Sequence, residues 1–125
     1  MARILIVDDE ADVVDLLIYL LGRAGHQVLT ARNGKEGLSR VLEEAPDLIV
    51  LDIMMPEMDG YTMNQHLLAD ARARRIPVIV LTAKGGLQDK SAVAPNIQSH
   101  IEKPFDPKDL TDCIDKILKS KASEL

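Results

Sequence analysis

Three short apolar runs in the chain contain no polar alternation, and each of them ends at a polar residue. The runs and the residues that follow them are Ile4–Val7 with Asp8, Asp9 and Glu10, Leu48–Leu51 with Asp52, and Val78–Leu81 with Thr82. Uninterrupted apolar runs of this length are typical of strands in a parallel sheet whose two faces are both covered. Ligands of such open sheets bind at the carboxyl ends of the strands. The pattern therefore predicts the three carboxylates of Asp8, Asp9 and Asp52 and the hydroxyl of Thr82 at one edge of a sheet.

Apolar residues with helical spacing separate these runs. The first helix has an apolar face made by Val13, Leu16, Leu17, Leu20, Leu21 and Ala24, and the second by Leu38, Val41, Leu42 and Ala45. A third helix is predicted after Gly60 and runs to about Ala73. The two remaining strands, the second and the fifth along the chain, are predicted at Gln27–Ala31 and near Ser99–Ile101. The third strand, which contains the apolar run Leu48–Leu51, is predicted at Asp47–Leu51.

The alternation gives five strands and five helices. We predict a single doubly wound α/β domain, a flavodoxin-like three-layer sandwich with five parallel strands in the order 2-1-3-4-5. The last helix has the clearest start, with Asp106 as N-cap and Pro107 at the first helical position. The segment Lys84–Gln98 contains Gly85 and Gly86 early and Pro95 late, and these residues weaken helices. We therefore expect a short or mobile fourth helix there.

Length and composition limit the class of protein. The 125 residues fit one domain, which we place at residues 1–120, followed by a frayed tail at 121–125. The net charge of −5 argues against direct nucleic-acid binding, whose surfaces are usually basic. No segment approaches 18 uninterrupted apolar residues, so no membrane insertion is predicted. The single cysteine, Cys113, cannot form an internal disulfide, which fits a reducing compartment, and we expect a cytoplasmic protein.

The acidic residues at the strand ends are candidates for a metal site. Asp8 and Asp9 follow the first strand and Asp52 follows the third, and these strands are neighbours in the predicted order. Carboxylates packed together repel one another, and a hard divalent cation offsets the repulsion. Ligands that are all oxygen favour Mg²⁺. Taken singly, Asp8 or Glu10 is equally well explained as a helix N-terminal acid favoured by the helix dipole.

Lys103 and Thr82 complete the candidate site. Lys103 precedes Pro104 at the end of the fifth strand, and Thr82 ends the fourth. A lysine can neutralise an arriving phosphoryl group, and a hydroxyl can donate a hydrogen bond to it. Each residue alone is better explained as a helix cap or a solvated surface side chain. Their joint placement at strand ends favours a role in the site.

The motifs ILIVDDE, DLIVLDIMMPEMDGY, IPVIVLTA and EKPFDPKDL occur in this order along the chain. In these four segments the sequence resembles the receiver domain of two-component response regulators, and the resemblance covers essentially the whole chain. It implies a signal-transduction phosphoacceptor, a switch rather than an enzyme. The phosphoryl group would come from a sensor histidine kinase or a phosphotransfer protein in a phosphorelay, in a Mg²⁺-dependent (or Mn²⁺-dependent) reaction.

The resemblance also implies roles for individual residues. These are the phosphoacceptor Asp52, the direct metal ligand Asp9, the largely water-mediated ligand Asp8, a third protein ligand in the backbone carbonyl of Met54, the phosphoryl sensor Thr82 and its cationic partner Lys103. The bond before Pro104 is expected to be cis. The expected binding surface for a downstream protein or an output domain is formed by the helix before strand 5, strand 5 and the last helix. The protein would be a monomer or a weak dimer.

One position departs from the family pattern. Three residues before Lys103, where the family usually has an aromatic switch residue, this chain has His100. One interpretation is a half-buried neutral histidine that packs at a strand edge. The other is that His100 still moves inward on phosphorylation, together with Thr82, as the second switch residue.

Three other functions compete with the phosphoacceptor. A phosphatase of the haloacid-dehalogenase type also uses an aspartyl phosphate, but it needs a second aspartate at the position of Met54. A P-loop nucleotidase needs a G-x-x-x-x-G-K-[ST] motif, which the sequence lacks. The remaining alternative is a receiver-fold interaction module that acts independently of phosphorylation, which His100 and the unusual Lys84–Gln98 segment leave open.

Overall fold

The protein forms a five-stranded parallel sheet covered by helices on both faces. The computed structural model describes residues 2–55, 58–83 and 94–123. The strands are β1 (Arg3–Val7), β2 (Gln27–Ala31), β3 (Leu48–Asp52), β4 (Val78–Thr82) and β5 (Ile97–Glu102). The helices within the described residues are α1 (Ala11–Arg23), α2 (Gly34–Glu44), α3 (Gly60–Ala69) and α4 (Pro107–Ser123).

The strand order is β2-β1-β3-β4-β5, which confirms the predicted doubly wound topology. All neighbouring strands pair in parallel, with Val7 beside Leu51 and Asp52 beside Leu81. Because β1 and β3 are adjacent, the chain segments that follow them leave the sheet at the same edge. This geometry brings the acidic residues of two distant segments together.

Alternate residues of the strands contribute to two apolar cores, one on each face of the sheet. On one face the side chains of Leu5, Val7, Ile49 and Leu51 pack with residues of α2 and α3, including Val41, Met63 and Leu67. On the other face Ile4, Ile6, Leu48 and Val50 pack with residues of α1 and α4, including Leu17, Leu21, Leu110 and Ile114. The central strands are buried on both sides, which explains why their sequences are apolar without alternation.

Helix boundaries follow the capping signals in most places. Asp106 Oδ1 accepts a hydrogen bond from the Lys108 N–H, 2.9 Å away, at the start of α4, as predicted. The third helix is four residues shorter than the predicted end at Ala73. It ends at Ala69 because the Asp70 carboxylate accepts the Arg72 N–H at 2.8 Å and directs the chain into a turn.

Two predictions concern segments near the limits of the described residues. Residues 84–93, which carry most of the predicted fourth helix, lie outside the described part of the chain, so four helices are described where five were predicted. The described end of that segment forms a turn at Pro95 and then enters β5. The last helix continues to Ser123, beyond the predicted domain end at residue 120, and fraying of 121–125 stays a prediction. No helix formed by the described residues has the length and apolar character needed to cross a membrane.

Candidate functional site

The carboxyl edge of the sheet gathers polar side chains from three neighbouring strands. Asp8 directly follows β1, Asp52 ends β3 and Thr82 ends β4. Their exposed fractions are only 1%, 3% and 3%. Burial of ionisable groups at this level requires compensating interactions. The apolar strands therefore hold two carboxylates and a hydroxyl out of bulk water at one point.

Lys103 reaches this point from the segment after β5. Its Nζ donates hydrogen bonds to Asp8 Oδ2 at 3.0 Å and to Glu10 Oε1 at 2.8 Å, and it lies 3.4 Å from Asp52 Oδ2. The backbone of Lys103 is held beside the end of β4, because the Lys103 N–H donates a hydrogen bond to the Thr82 carbonyl oxygen at 2.7 Å. The peptide bond between Lys103 and Pro104 is cis, as expected. One ammonium thus bridges three carboxylates.

The side-chain hydroxyl of Thr82 has no hydrogen-bond partner among the described residues, although it is fully buried. Buried hydroxyls are normally paired, and an unpaired one costs free energy. An unpaired hydroxyl at the same sheet edge as the carboxylates indicates a ligand site. A ligand bound there would accept a hydrogen bond from this hydroxyl. A phosphoryl oxygen is an acceptor of this kind.

The loop after Asp52 holds its carboxylate and approaches α3 very closely. The Met54 N–H donates to Asp52 Oδ1 at 3.2 Å, and the Gly60 N–H donates to the Ile53 carbonyl at 3.0 Å. A Cβ atom placed on Gly60 would lie 2.5 Å from the Asp52 carbonyl oxygen. Asp59 caps α3 by accepting the Thr62 N–H at 2.8 Å. Position 60 therefore has no room for a side chain, which explains the glycine there. The sequence alone did not reveal this steric requirement.

The electrostatics of the site centre on Asp52. Burial first, and then the neighbouring Asp8 carboxylate, raise the pKa of Asp52 to about 7, although Lys103 and the Met54 N–H act in the opposite direction. For Lys103, burial by itself lowers the pKa, but the bonds to Glu10 and Asp8 and the charges of Asp8 and Asp52 outweigh it and raise the pKa above its ordinary value. Among the described residues, the site therefore has carboxylates that repel each other and the cation of Lys103, which partly offsets the repulsion.

The arrangement fits a divalent cation. Carboxylate oxygens of Asp8, Glu10 and Asp52 all lie within 4.8 Å of one another. Ligands that are exclusively oxygen match Mg²⁺, and a cation would also offset the repulsion that raises the pKa of Asp52. Glu10, which the sequence analysis did not assign to the metal site, belongs to this group. Asp9 does not belong to it and its side chain is exposed, so its expected role as direct ligand stays a prediction.

The remaining predicted positions lie around this centre. Met54 follows Asp52 closely and its side chain is 69% exposed, while the expected contact of its carbonyl with a metal stays a prediction. His100 lies in β5 beside Val80, and its side chain is half-buried. Its expected part in switching stays a prediction. Sequence reasoning missed Glu10 and Gly60 as site residues, and the signal for Glu10 was its place next to Asp8 and Asp9.

The chain matches one known protein family over most of its length. The family model of the response regulator receiver domain matches residues 4–115. The chain belongs to this family. As a response regulator receiver domain it has a regulatory role in two-component signalling and is not a classical enzyme.

Curated relatives of this receiver domain include short and long proteins. Protein PilH of Pseudomonas aeruginosa is 38% identical over 119 residues, which cover 94% of this chain and 98% of PilH. The DNA-binding dual master transcriptional regulator RpaA of Synechocystis is 38% identical over 95% of this chain but 50% of its own length. The alkaline phosphatase synthesis transcriptional regulatory protein PhoP of Bacillus subtilis is 38% identical over 94% of this chain and 48% of its own length. The chain thus spans about half the length of RpaA and of PhoP, but nearly the whole of PilH.

Solved structures agree with the receiver fold. A response regulator receiver domain protein from Clostridium thermocellum superimposes with a TM-score of 0.88 at 27% identity, covering all of both chains. The chemotaxis response regulator CheY4 of Vibrio cholerae gives a TM-score of 0.85 at 25% identity, covering 94% of this chain and 98% of CheY4. The acidic group at the sheet edge of this receiver domain fits Mg²⁺ binding.

Proposed function

We propose that this receiver domain accepts a phosphoryl group on Asp52 from a sensor histidine kinase or a phosphotransfer protein in a Mg²⁺-dependent reaction. One observation supports the proposal above the others. A single ammonium, that of Lys103, joins the buried carboxylates of Asp8 and Asp52 at a strand edge where the Thr82 hydroxyl is unpaired among the described residues. Such a cluster has the cation and the donor that a bound phosphoryl group requires.

The transfer step follows from the chemistry of an aspartate nucleophile. A carboxylate oxygen of Asp52 attacks the phosphorus atom, the P–N bond of the phosphohistidine breaks, and the imidazole leaves with the electron pair of that bond. The product is an acyl phosphate on Asp52. Burial removes water from the carboxylate, and the Met54 N–H bonded to Asp52 Oδ1 orients it for attack in line.

The proposed metal ligands are Asp8, Asp9, Asp52 and the backbone carbonyl of Met54. Bound Mg²⁺ or Mn²⁺ would supply positive charge that offsets the negative charge of the phosphoryl oxygens. The carboxylate oxygens of Asp8 and Asp52 support the assignment, because they already belong to one group within 4.8 Å. The same positive charge would favour the deprotonated carboxylate of Asp52, which is the form that acts as the nucleophile.

Lys103 and Thr82 would hold the phosphorylated state. The Lys103 ammonium lies 3.4 Å from Asp52 Oδ2, close enough to pair with a phosphoryl oxygen after a small movement. The Thr82 hydroxyl would donate the hydrogen bond that it does not make to any described residue of the unphosphorylated protein. Movement of Thr82 toward the phosphoryl group would shift an equilibrium between two conformations that both exist before phosphorylation.

The output of the switch is proposed to involve His100 and the surface around β5. That surface, formed by the chain before β5, β5 and α4, would bind a downstream protein or an output domain in the cytoplasm. We expect no direct nucleic-acid binding by this chain, whose net charge is −5. Comparison of the His100 ring resonances with and without beryllofluoride tests the switch, since an unchanged ring environment would exclude His100 from it.

Intact mass spectrometry tests the proposed function. The receiver domain is incubated with acetyl phosphate, with Mg²⁺ or with a chelator, and Asp52→Asn is treated in parallel. A phosphate-sized gain in the wild type with Mg²⁺, absent from the variant and from the chelated sample, supports the proposal. No gain in the wild type with Mg²⁺ would instead favour an interaction module that acts independently of phosphorylation.

A further inference from the structure

The two hydrogen bonds of the Lys103 ammonium go to carboxylates other than the proposed acceptor. They join Nζ to Glu10 Oε1 at 2.8 Å and to Asp8 Oδ2 at 3.0 Å. Asp52 Oδ2 is farther away, at 3.4 Å. Before a phosphoryl group arrives on Asp52, the ammonium that should pair with it is therefore held more closely by Glu10 and Asp8 than by Asp52.

The two bonded carboxylates have different surroundings. The Asp8 side chain is fully buried, whereas the Glu10 side chain is 58% exposed. Glu10 precedes α1 but makes no side-chain capping bond to that helix. An exposed carboxylate is readily hydrated when its partner leaves, whereas a buried one is not. The bond to Glu10 is thus the one that Lys103 can break at low cost.

We infer that Glu10 is a positioning residue that holds Lys103 partly away from Asp52 and competes with a phosphoryl group for the ammonium. The inference rests on the proposed function and adds a residue that controls it. On phosphorylation the Lys103 ammonium turns from Glu10 to the phosphoryl oxygens, and Glu10 becomes hydrated. Glu10 therefore favours the unphosphorylated state.

A role for Glu10 as a metal ligand makes the opposite prediction. Its carboxylate belongs to the group that could hold a cation together with Asp8 and Asp52. If Glu10 bound the metal directly, its removal would weaken metal binding and with it the binding of any phosphoryl group. Competition for Lys103 predicts instead that removal of Glu10 strengthens phosphoryl binding.

The test compares Glu10→Ala with Asp12→Ala. Asp12 is exposed in the first turn of α1 and borders the same open cavity of about 540 Å³ as Glu10 and Lys103. Among the described residues, Asp12 forms no hydrogen bond or ion pair with Lys103. Both variants remove one exposed carboxylate from the mouth of the site, so any general effect of charge would change the affinity of both. Only Glu10→Ala removes a bond to Lys103.

The measured quantity is the affinity for beryllofluoride, a phosphoryl mimic, at saturating Mg²⁺. We expect Glu10→Ala to bind it about two- to fivefold more tightly than the wild type, the range for an exposed ion pair, and Asp12→Ala to bind it as the wild type does. In a metal-free crystal structure of Glu10→Ala, the distance from Lys103 Nζ to Asp52 Oδ2 should fall below the 3.4 Å of the wild type.

Three results would overturn the inference: equal gains in both variants, no change in Glu10→Ala, or weaker binding in Glu10→Ala. Failure of the wild type to bind beryllofluoride or to gain phosphate would instead remove the proposed function. In that case the distance between Lys103 and Asp52 in the variant crystal still decides whether Glu10 positions the lysine. The two failures are therefore distinguishable.

Discussion

The Nζ atom of Lys103 lies 3.0 Å from Oδ2 of Asp8, and this contact joins the end of the last strand to the end of the first. The lysine side chain is 16% exposed and the aspartate side chain is fully buried. A pair of this kind stabilises little by itself, but removal of one partner leaves a buried charge uncompensated. Lys103 is therefore a structural requirement of the acidic site as well as a proposed ligand of the phosphoryl group.

Replacement of Lys103 by methionine should destabilise the metal-free protein at neutral pH. We expect a loss of about 1–3 kcal/mol in the free energy of unfolding, because Asp8 and Asp52 lose their shared cation. Urea denaturation measures the loss, and saturating Mg²⁺ should restore part of it. Lys116→Met serves as control, since Lys116 is exposed on α4. Equal stability of the two variants would contradict a structural role for Lys103.

The metal-free receiver domain should become less stable as the pH rises from about 4 to about 7. Burial and the Asp8 carboxylate raise the pKa of Asp52 from 3.8 to about 7, so the folded state binds this proton more tightly than the unfolded chain does. The contribution is fully present below the unfolded pKa and is lost as the pH rises through the folded pKa. Asp52→Asn should lack this loss and should exceed the wild type in stability by on the order of 4 kcal/mol at pH 8.

Unfolding curves of the wild type and Asp52→Asn over this pH range, recorded in chelator, measure the difference. The gap between the two proteins should widen between pH 4 and pH 7 and then stay constant. Added Mg²⁺ should narrow the gap at pH 8, because the cation favours the ionised carboxylate. A gap that is independent of pH would mean that Asp52 ionises normally in the folded protein.

Replacement of Thr82 by valine should separate stability from switching. Valine removes the buried hydroxyl that has no partner among the described residues, so the unphosphorylated protein should be equally stable or more stable by about 1 kcal/mol. The same variant should bind beryllofluoride more weakly, because the donor to the phosphoryl oxygen is lost. Thr82→Ser keeps the hydroxyl and should keep the affinity. Loss of stability in Thr82→Val would indicate that the hydroxyl is already paired.

Gly60 should tolerate no side chain, in contrast to Gly22. An added Cβ on Gly60 would lie 2.5 Å from the Asp52 carbonyl oxygen, whereas one on Gly22 meets no atom within 4 Å. Gly60→Ala should cost about 1–3 kcal/mol through overpacking and should displace the Asp52 loop. Gly22→Ala, inside α1, should stabilise by about 0.5–1 kcal/mol. Thermal unfolding of both variants checks the contrast, which equal shifts in melting temperature would refute.

The apolar runs predicted the buried strands and the edge of the site, because buried parallel strands must be apolar throughout, and the alternation of strands with helices predicted the doubly wound strand order. The residues that end those runs, Asp52 and Thr82, were therefore visible in the pattern. The end of the third helix was predicted too late, because the turn at Asp70 depends on a local bond to Arg72 that periodicity does not report. Helix ends that depend on local polar hydrogen bonds are thus predicted less well than elements that are marked by an apolar pattern.

Contacts between distant segments were beyond the sequence pattern. In the sequence Glu10 is marked only by its place after Asp8 and Asp9 at the start of a helix, whereas its bond to Lys103 joins residues that are 93 positions apart. The close approach of Gly60 to Asp52 depends on how α3 packs on the strand end, which spacing along the chain does not encode. The contacts that give both residues their part in the site become visible only when the strand ends and the following loops are placed in space.

The most direct test of the central claim is to locate the phosphoryl group on the chain. Receiver domain treated with acetyl phosphate and Mg²⁺ is reduced with borohydride, which converts an aspartyl phosphate to homoserine, and the peptides are sequenced by tandem mass spectrometry. We predict homoserine at position 52 and at no other carboxylate. Homoserine at Asp8 or Asp9, or an unmodified Asp52 in protein that has gained phosphate, would contradict the account.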